Sequence, residues 1–308
     1  MKSRTTVTVL MGGPDAEREV SLSSGGRVAA ALATFDDLVV VPRIVDAPTA
    51  QELAALFAED RTDVVFPVLH GAWGEGGTLQ AALERLAIPF VGSGRAAAEL
   101  AMDKMRSKAM VTGLDIPTPA AASVEPGCPI DLPLPIVLKP VADGSSVGVR
   151  FVSTPDELEP ARRELEAGHD RLMAECFVSG RELTVAVVAD EVLPPIEIIP
   201  AAGFYDYEAK YVRDDTRYVV SPDLPAGVGD ELAAWSRRIL ETFGVRDFGR
   251  VDWLLPHDPS GRSHPSFLEV NTIPGMTDHS LVPMAAASTG LSMPALCRRL
   301  AETALARG

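Results

Sequence analysis

The chain is poor in cysteine, aromatics and positive charge, and it has no long apolar run. Its 308 residues hold three cysteines, Cys128, Cys176 and Cys297, far apart and without a C-x-x-C pair, so neither a disulfide framework nor a zinc site is signalled. That scarcity points to a reducing compartment. Lysine and arginine number 28 against 43 aspartates and glutamates, a formal net charge of −15. Sequence-independent binding to nucleic acid or to an anionic membrane needs a basic face, so this balance argues against both. Anionic ligands must then meet locally placed cations. No uninterrupted apolar stretch reaches the roughly 18 residues of a membrane span; the best candidate, LTVAVVADEVLPPIEII, is broken by Asp190, Glu191 and two prolines. The N-terminal MKSRTTVTVLMGG has too short an apolar run for a signal-peptide core. The expectation is a soluble, cytoplasmic chain with no nucleic-acid or membrane partner.

What is present suggests two or three domains, since the length exceeds a usual single core. The first hundred residues alternate short apolar strands with amphipathic helices: TVTVL, a helix from about Ser24 to Thr34, LVVVPRIV, a helix near Gln51 to Glu59, DVVFPVL, a helix near Leu79 to Leu86, and IPFVG. This is the βαβ pattern of a parallel, Rossmann-like sheet. The loops MGGPDAEREVSLSSG and HGAWGEGGT would sit at the carboxyl ends of strands, where open α/β sheets bind ligands. Glu17, Glu19 and His70 are their polar candidates; each taken alone reads more readily as a loop charge or cap than as a ligand. The Gly12-Gly13 pair is not a G-x-G-x-x-G fingerprint.

A helix over about Arg95 to Thr112 carries Lys104, Arg106 and Lys108, ordinarily a solvated face, and ends at Gly113. A proline-punctuated linker leads to PIVLKPVADGSSVGVRFV, two strands around a small-residue loop whose N–H groups and hydroxyls can approach phosphate, with Lys139 on the entering strand. Thr154 and Pro155 open a helix to about Ala167. In RLMAECFVSGRELTVAVV, Glu175 and Glu182 bracket Phe177 and Val178, as an edge for a purine and its ribose or as an ordinary hairpin. PAAGFYDYEAKYVRDDTRYVVSP, with Tyr205, Tyr207, Lys210 and Tyr211, reads as a lid or as a flexible insertion. Helices from about Asp230 to Phe243 and from near Met293 complete the chain.

Between them, VDWLL and SFLEV flank a breaker-rich turn. A turn symmetric about Ser260 and Gly261 pairs Asp252 with Glu269 and Arg250 with Asn271, so two carboxylates, an amide and a guanidinium share one face. Two ionised carboxylates about 4 Å apart repel by roughly 4 kcal/mol at an effective dielectric of 20. If buried, they need an offsetting charge, which Mg²⁺ would supply; a surface hairpin with solvated charges is the competing reading.

Taken together, GGPDAEREVSL, LHGAWGEGGT, MDKMRSK, VLKP…DGSSVGV, FYDYEAKY, GRVD and EVNTIPGMTDHSL resemble the D-alanine–D-alanine ligases of the ATP-grasp superfamily, in the family's order over nearly the whole chain. The resemblance implies a substrate-binding α/β domain over 1–103, a central ATP-grasp subdomain over 104–182 and a catalytic α+β subdomain over 183–308. It implies ATP as cosubstrate, two Mg²⁺ ions (or Mn²⁺ in their place), D-alanine as substrate and a homodimer. Lys104, Lys139, Ser146 and Lys210 would then hold phosphates, and Glu175, Phe177, Val178 and Glu182 the adenosine. Asp252, Glu269 and Asn271 would bind metal. Glu17 would take the first D-alanine's ammonium and, with Ser145 and Tyr211, tie the lid. Arg250 and Gly275 would line the developing oxyanion, while His70, Ser280 and Leu281 would contact substrate. Two departures stand out: Gly76 replaces an aspartate of the family's loop motif, and Phe177 replaces tryptophan or tyrosine.

Overall fold

The computed structural model describes residues 4–144, 148–200, 216–257 and 263–308. Three sheets organise them into a mixed α/β fold. The first is parallel, in the order β2-β1-β3, from β1 (Thr5–Gly12), β2 (Leu38–Val45) and β3 (Val64–Pro67). Expected strand IPFVG contributes only an isolated bridge from Phe90 to Val65, so this sheet has three strands rather than four.

Helix α1 spans Arg18–Leu32, six residues earlier than the hydroxyl-rich sequence suggested. Tertiary contacts override the weak local propensity of its serines and glycines. The Ser21 hydroxyl donates to the Val68 carbonyl and accepts from the Gly12 N–H at 2.8 Å. A Cβ at Gly25 would lie 2.5 Å from that of Met11, so only glycine lets the helix lie this close to β1. Helix α2 (Ala50–Asp60) follows the expected span and starts in a Thr49/Glu52 capping box.

After α3 (Ala72–Glu75) and α4 (Thr78–Arg85), the expected long helix is two, α5 (Arg95–Met102) and α6 (Lys104–Thr112). Asp103 breaks it: in an extended conformation it ends one helix and accepts the Arg106 N–H at 3.0 Å to begin the next.

The second sheet, β4-β7-β5-β6, is antiparallel, from β4 (Ala121–Val124), β5 (Ile136–Pro140), β6 (Arg150–Val152) and β7 (Leu172–Cys176), with α7 (Pro155–Glu166) between its last two strands in sequence. The third runs β11-β10-β8-β12-β13, with β9 (Glu191–Val192) paired to β8. Its members are β8 (Gly180–Val188), β10 (Ile196–Ile199), β11 (Arg217–Val220), β12 (Phe248–Pro256) and β13 (Ser266–Asn271). Thus β7 and β8 are not the two arms of a hairpin: the chain crosses from one sheet to another between them. The expected junction at 182/183 falls inside β8.

The remaining helices are α8 (Val228–Phe243), stopped by left-handed Gly244, then α9 (Leu281–Ser288) and α10 (Met293–Arg307). Alternation along β12 turns Val251, Trp253 and Leu255 into a core with Leu232, Ile239 and Phe243 of α8, where Trp253 Nε1 donates to Ser236 Oγ at 3.0 Å. Residues Arg250 and Asp252 face the other way. Helix α10 packs back on the first sheet, Leu296, Cys297 and Leu300 joining Val7, Val9 and Val28 in one core, while α9 lies against β8 and β11 of the third. That shared core presents the strand-end loops of the first sheet to the open face of the third. No helix among the described residues is long and apolar enough to cross a membrane.

Candidate functional site

The hairpin register matches the sequence argument where it matters: Arg250 pairs with Asn271 and Asp252 with Glu269. A bulge follows Asp252, so Trp253 faces Phe267 instead of the expected Leu268. Each of the two carboxylates has a cationic side chain beside it. Arg250 grips Asp252 through two bonds of 2.8 Å, Thr184 donates to Asp252 at 2.6 Å, and the Lys104 ammonium lies 3.6 Å from Glu269. Asn271 Oδ1 accepts the Ile273 N–H at 3.1 Å.

Two cavities meet at this strand pair. One, of about 430 Å³, is lined by Glu17, His70, Glu75, Arg250, Asn271, Gly275, Ser280 and Leu281. The other, of about 610 Å³, is lined by Lys139, Phe151, Glu175, Phe177, Val178 and Glu182. Lys104, Asp143 and Glu269 belong to the walls of both. Asp252 lines neither; it is buried behind Arg250.

In the first cavity, His70 Nδ1 lies 2.9 Å from Glu75, and its Nε2 is buried with no hydrogen-bond partner among the described residues. Burial opposes the His70 imidazolium, but the neighbouring carboxylates of Glu75 and Glu17 outweigh it and raise its pKa. Burial also raises that of Glu75, against the opposing pull of His70. Glu17, at the start of α1, comes within 3.3 Å of where a Gly144 Cβ would stand. A Cβ on Gly275 would meet Ser280 Oγ at 2.8 Å, so glycine there permits the close loop that leads into α9. The Ser280 hydroxyl accepts the Thr277 N–H at 2.9 Å, and Leu281 opens the helix. Gly76 closes α3, and a Cβ there would sit 2.4 Å from the Ala72 carbonyl oxygen.

In the second cavity, Lys139 donates to Glu175 at 2.6 Å, and Phe151 meets Phe177 edge to face, centroids 4.9 Å apart. Two lysines outweigh burial at Glu175 and hold its carboxyl below the usual range. The second of them is Lys108. Sequence reasoning assigned Lys104, Arg106 and Lys108 to a solvated face; only Arg106 is exposed. Burial lowers the pKa of Lys104, with Glu269 offsetting part of it. Neither Lys108 nor Glu75 stands out as a site residue in the sequence, although Lys108 is spaced i, i+4 from Lys104 and Glu75 lies in a glycine-rich loop. Ser145, Ser146, Lys210 and Tyr211, with the rest of the expected lid's centre, lie outside the described residues.

Among the described residues, no group of three or more His, Cys, Asp or Glu side chains stands ready to hold a metal. Asp252, Glu269 and Asn271 nevertheless offer oxygen donors only, the chemistry a hard cation prefers.

The chain matches the family model for the D-ala D-ala ligase N-terminus over residues 46–93 and that for the D-ala D-ala ligase C-terminus over residues 121–302. It is 46% identical to a D-alanine–D-alanine ligase of Dechloromonas aromatica (strain RCB), covering 99% of each chain. Among solved structures it resembles the Bacillus anthracis D-alanine–D-alanine ligase complexed with ATP, with TM-score 0.83 and 28% identity over 98% of each chain. It also resembles the VanG D-Ala:D-Ser ligase of Enterococcus faecalis, with TM-score 0.82 and 27% identity over 98% of this chain and 100% of that one. Sequence, fold and the paired cavities converge: the chain belongs to the D-alanine–D-alanine ligase family.

Proposed function

We propose that this protein joins two D-alanines into D-alanyl-D-alanine at the expense of ATP, through an acyl phosphate, as a step of peptidoglycan precursor synthesis in the cytoplasm. The observation that carries the reading is the junction of the two cavities at Lys104, Asp143 and Glu269. A nucleotide in the second cavity would direct its terminal phosphate toward an acid held in the first. In this reading the second and third sheets are the two subdomains of an ATP-grasp fold that hold the nucleotide between them, and the division 1–103, 104–182 and 183–308 is functional. The protein acts as a homodimer.

Adenine enters between Phe177 and Val178 beside Glu175, the ribose meets Glu182, and Lys104 and Lys139 take phosphate oxygens. Asp252, Glu269 and Asn271 would hold two Mg²⁺ or Mn²⁺ ions, which would neutralise the phosphates and polarise the transferred group. Glu17 receives the ammonium of the first D-alanine, and that alanine's own carboxylate attacks the γ-phosphorus, forming the acyl phosphate as the bond to ADP breaks. The second D-alanine, its carboxylate at Ser280 and the N-terminus of α9, attacks as a neutral amine. Arg250, oriented by its two bonds to Asp252, and the Gly275 N–H stabilise the oxyanion before phosphate leaves. His70, linked to Glu75, borders the same space. Ser145, Ser146, Lys210 and Tyr211 complete the enclosure by resemblance.

Purified protein incubated with ATP, Mg²⁺ and D-alanine, with D-serine or D-lactate in excess, is expected to release ADP and give chiefly D-alanyl-D-alanine by mass spectrometry. Predominant D-alanyl-D-lactate or D-alanyl-D-serine would reassign the second substrate. No ADP release would remove the ligase reading.

A further inference from the structure

Lys108 has no place in the reading above, yet it is among the most deeply buried cations of the chain. It sits on α6, 5% exposed, outside both cavities. Its ammonium donates to Thr118 Oγ1 at 2.6 Å and forms an ion pair with one carboxylate oxygen of Glu175, whose other oxygen takes the Lys139 ammonium at 2.6 Å. Thr118 in turn donates to the Phe267 carbonyl of β13 at 2.9 Å, so Lys108 is fixed to the strand that carries Glu269 and Asn271. Two buried ammonium groups therefore share one carboxylate. Within this trio one positive charge is in excess, which suits an incoming anion, because burying an unmatched charge is costly until a partner arrives.

The geometry points to Lys108 as a positioning residue for the nucleotide: it keeps Glu175 neutralised from outside the cavity, which frees Lys139 to turn from Glu175 to the phosphates. The inference rests on Lys139 being a phosphate ligand. Without Lys108, Lys139 could reach a phosphate only by leaving Glu175 as a buried, unpaired carboxylate. With Lys108 in place, Glu175 retains a cation and Lys139 moves at little loss. The pKa of Lys108, lowered by burial against the pull of Glu175, accords with an ammonium maintained chiefly by that one carboxylate.

The test compares binding of AMP-PNP with Mg²⁺ and of adenosine by calorimetry in the full chain. Lys108→Met is expected to weaken AMP-PNP about tenfold and adenosine less than about twofold, with KM for ATP rising more than kcat falls. On a Glu175→Gln background, where no carboxylate competes for Lys139, the same substitution should change AMP-PNP affinity less than about twofold. Equal losses for adenosine and AMP-PNP, or an undiminished loss on the Glu175→Gln background, would make Lys108 a fold support only and overturn the inference. If Lys108→Met does not fold, Thr118→Val loosens the ammonium's anchor and should weaken AMP-PNP about threefold with adenosine unchanged; no change would count against the inference. Lys139→Met separates the two layers. If it weakens AMP-PNP while Lys108→Met does not, the positioning role alone falls; if Lys139→Met has no effect, the phosphate reading falls and takes the inference with it.

Discussion

The two cavities share Lys104, Asp143 and Glu269 but differ in how their other charges are held. In the first, ionic groups are paired before any ligand arrives: His70 with Glu75, and Arg250 with Asp252 two residues along β12. The second has apolar and aromatic walls, Phe151, Phe177 and Val178, and a carboxylate outnumbered by two lysines. Matched pairs hold donors in fixed directions, as charge stabilisation in a transition state requires. Two lysines on one carboxylate beside an apolar slot instead favour ground-state capture of an anionic, ring-bearing ligand. Substitutions in the first cavity should therefore act on turnover, and those in the second on affinity.

The largest expected effect tests that division most directly. Arg250→Met should lower kcat by about 10² to 10³, the scale of a removed oxyanion donor, while nucleotide affinity stays within about twofold. Steady-state rates and AMP-PNP titration provide the comparison. A parallel loss of affinity and turnover would place Arg250 in ground-state binding and erase the proposed contrast.

Glu269 stands on the shared wall and should show both characters. Glu269→Gln is expected to lower turnover at ordinary Mg²⁺ by at least about tenfold, with part of the loss recovered at higher Mg²⁺. Its side chain is only partly buried and its Lys104 partner is 3.6 Å away, so the melting temperature should change little. Full activity with a lower melting temperature would instead mark Glu269 as a structural partner of Lys104.

Local chemistry made much of this site legible in the sequence. Breaker residues between two β-rich runs located the hairpin, and the strand period placed Arg250 and Asp252 on one face; the observed register agrees up to the bulge. The Thr154–Pro155 start of α7 and the Gly244 stop of α8 were similarly local. Long-range packing was not legible. Burial of Lys108 depends on β7 bringing Glu175 to α6, and strands β7 and β8 look like a hairpin because nothing in CFVSG states that the chain changes sheets there. The division of the Arg95–Thr112 helix turns on Asp103, whose side chain also accepts from Arg171 at 2.8 Å, a partner 68 residues away. Nor could the hairpin alone show that a cation from another element, Lys104, stands 3.6 Å from Glu269.

The smallest expected effect concerns pH and the matched pair at the first cavity. His70 has a folded-state pKa raised above its ordinary value of 6.5: burial opposes its charge, but Glu75 and Glu17 prevail. A raised histidine contributes stability that is fully present below the unfolded pKa and is lost as pH climbs through the folded one. Glu75, raised from 4.5 chiefly by burial, acts in the same direction, since the folded state again binds the proton more tightly than the unfolded chain. The ligand-free protein should therefore lose thermal stability as pH rises from 6.5 through the raised pKa of His70. In His70→Gln that slope should flatten while the fold persists, because the amide fills a similar volume and carries no titrating charge. Calorimetric melting between about pH 6 and 8.5 gives the comparison, in a range where histidine is the side chain that ordinarily titrates. Equal slopes in the two proteins would show that the His70–Glu75 pair is not proton-linked to folding, and that the first cavity's charges are held by something other than the matching inferred for them.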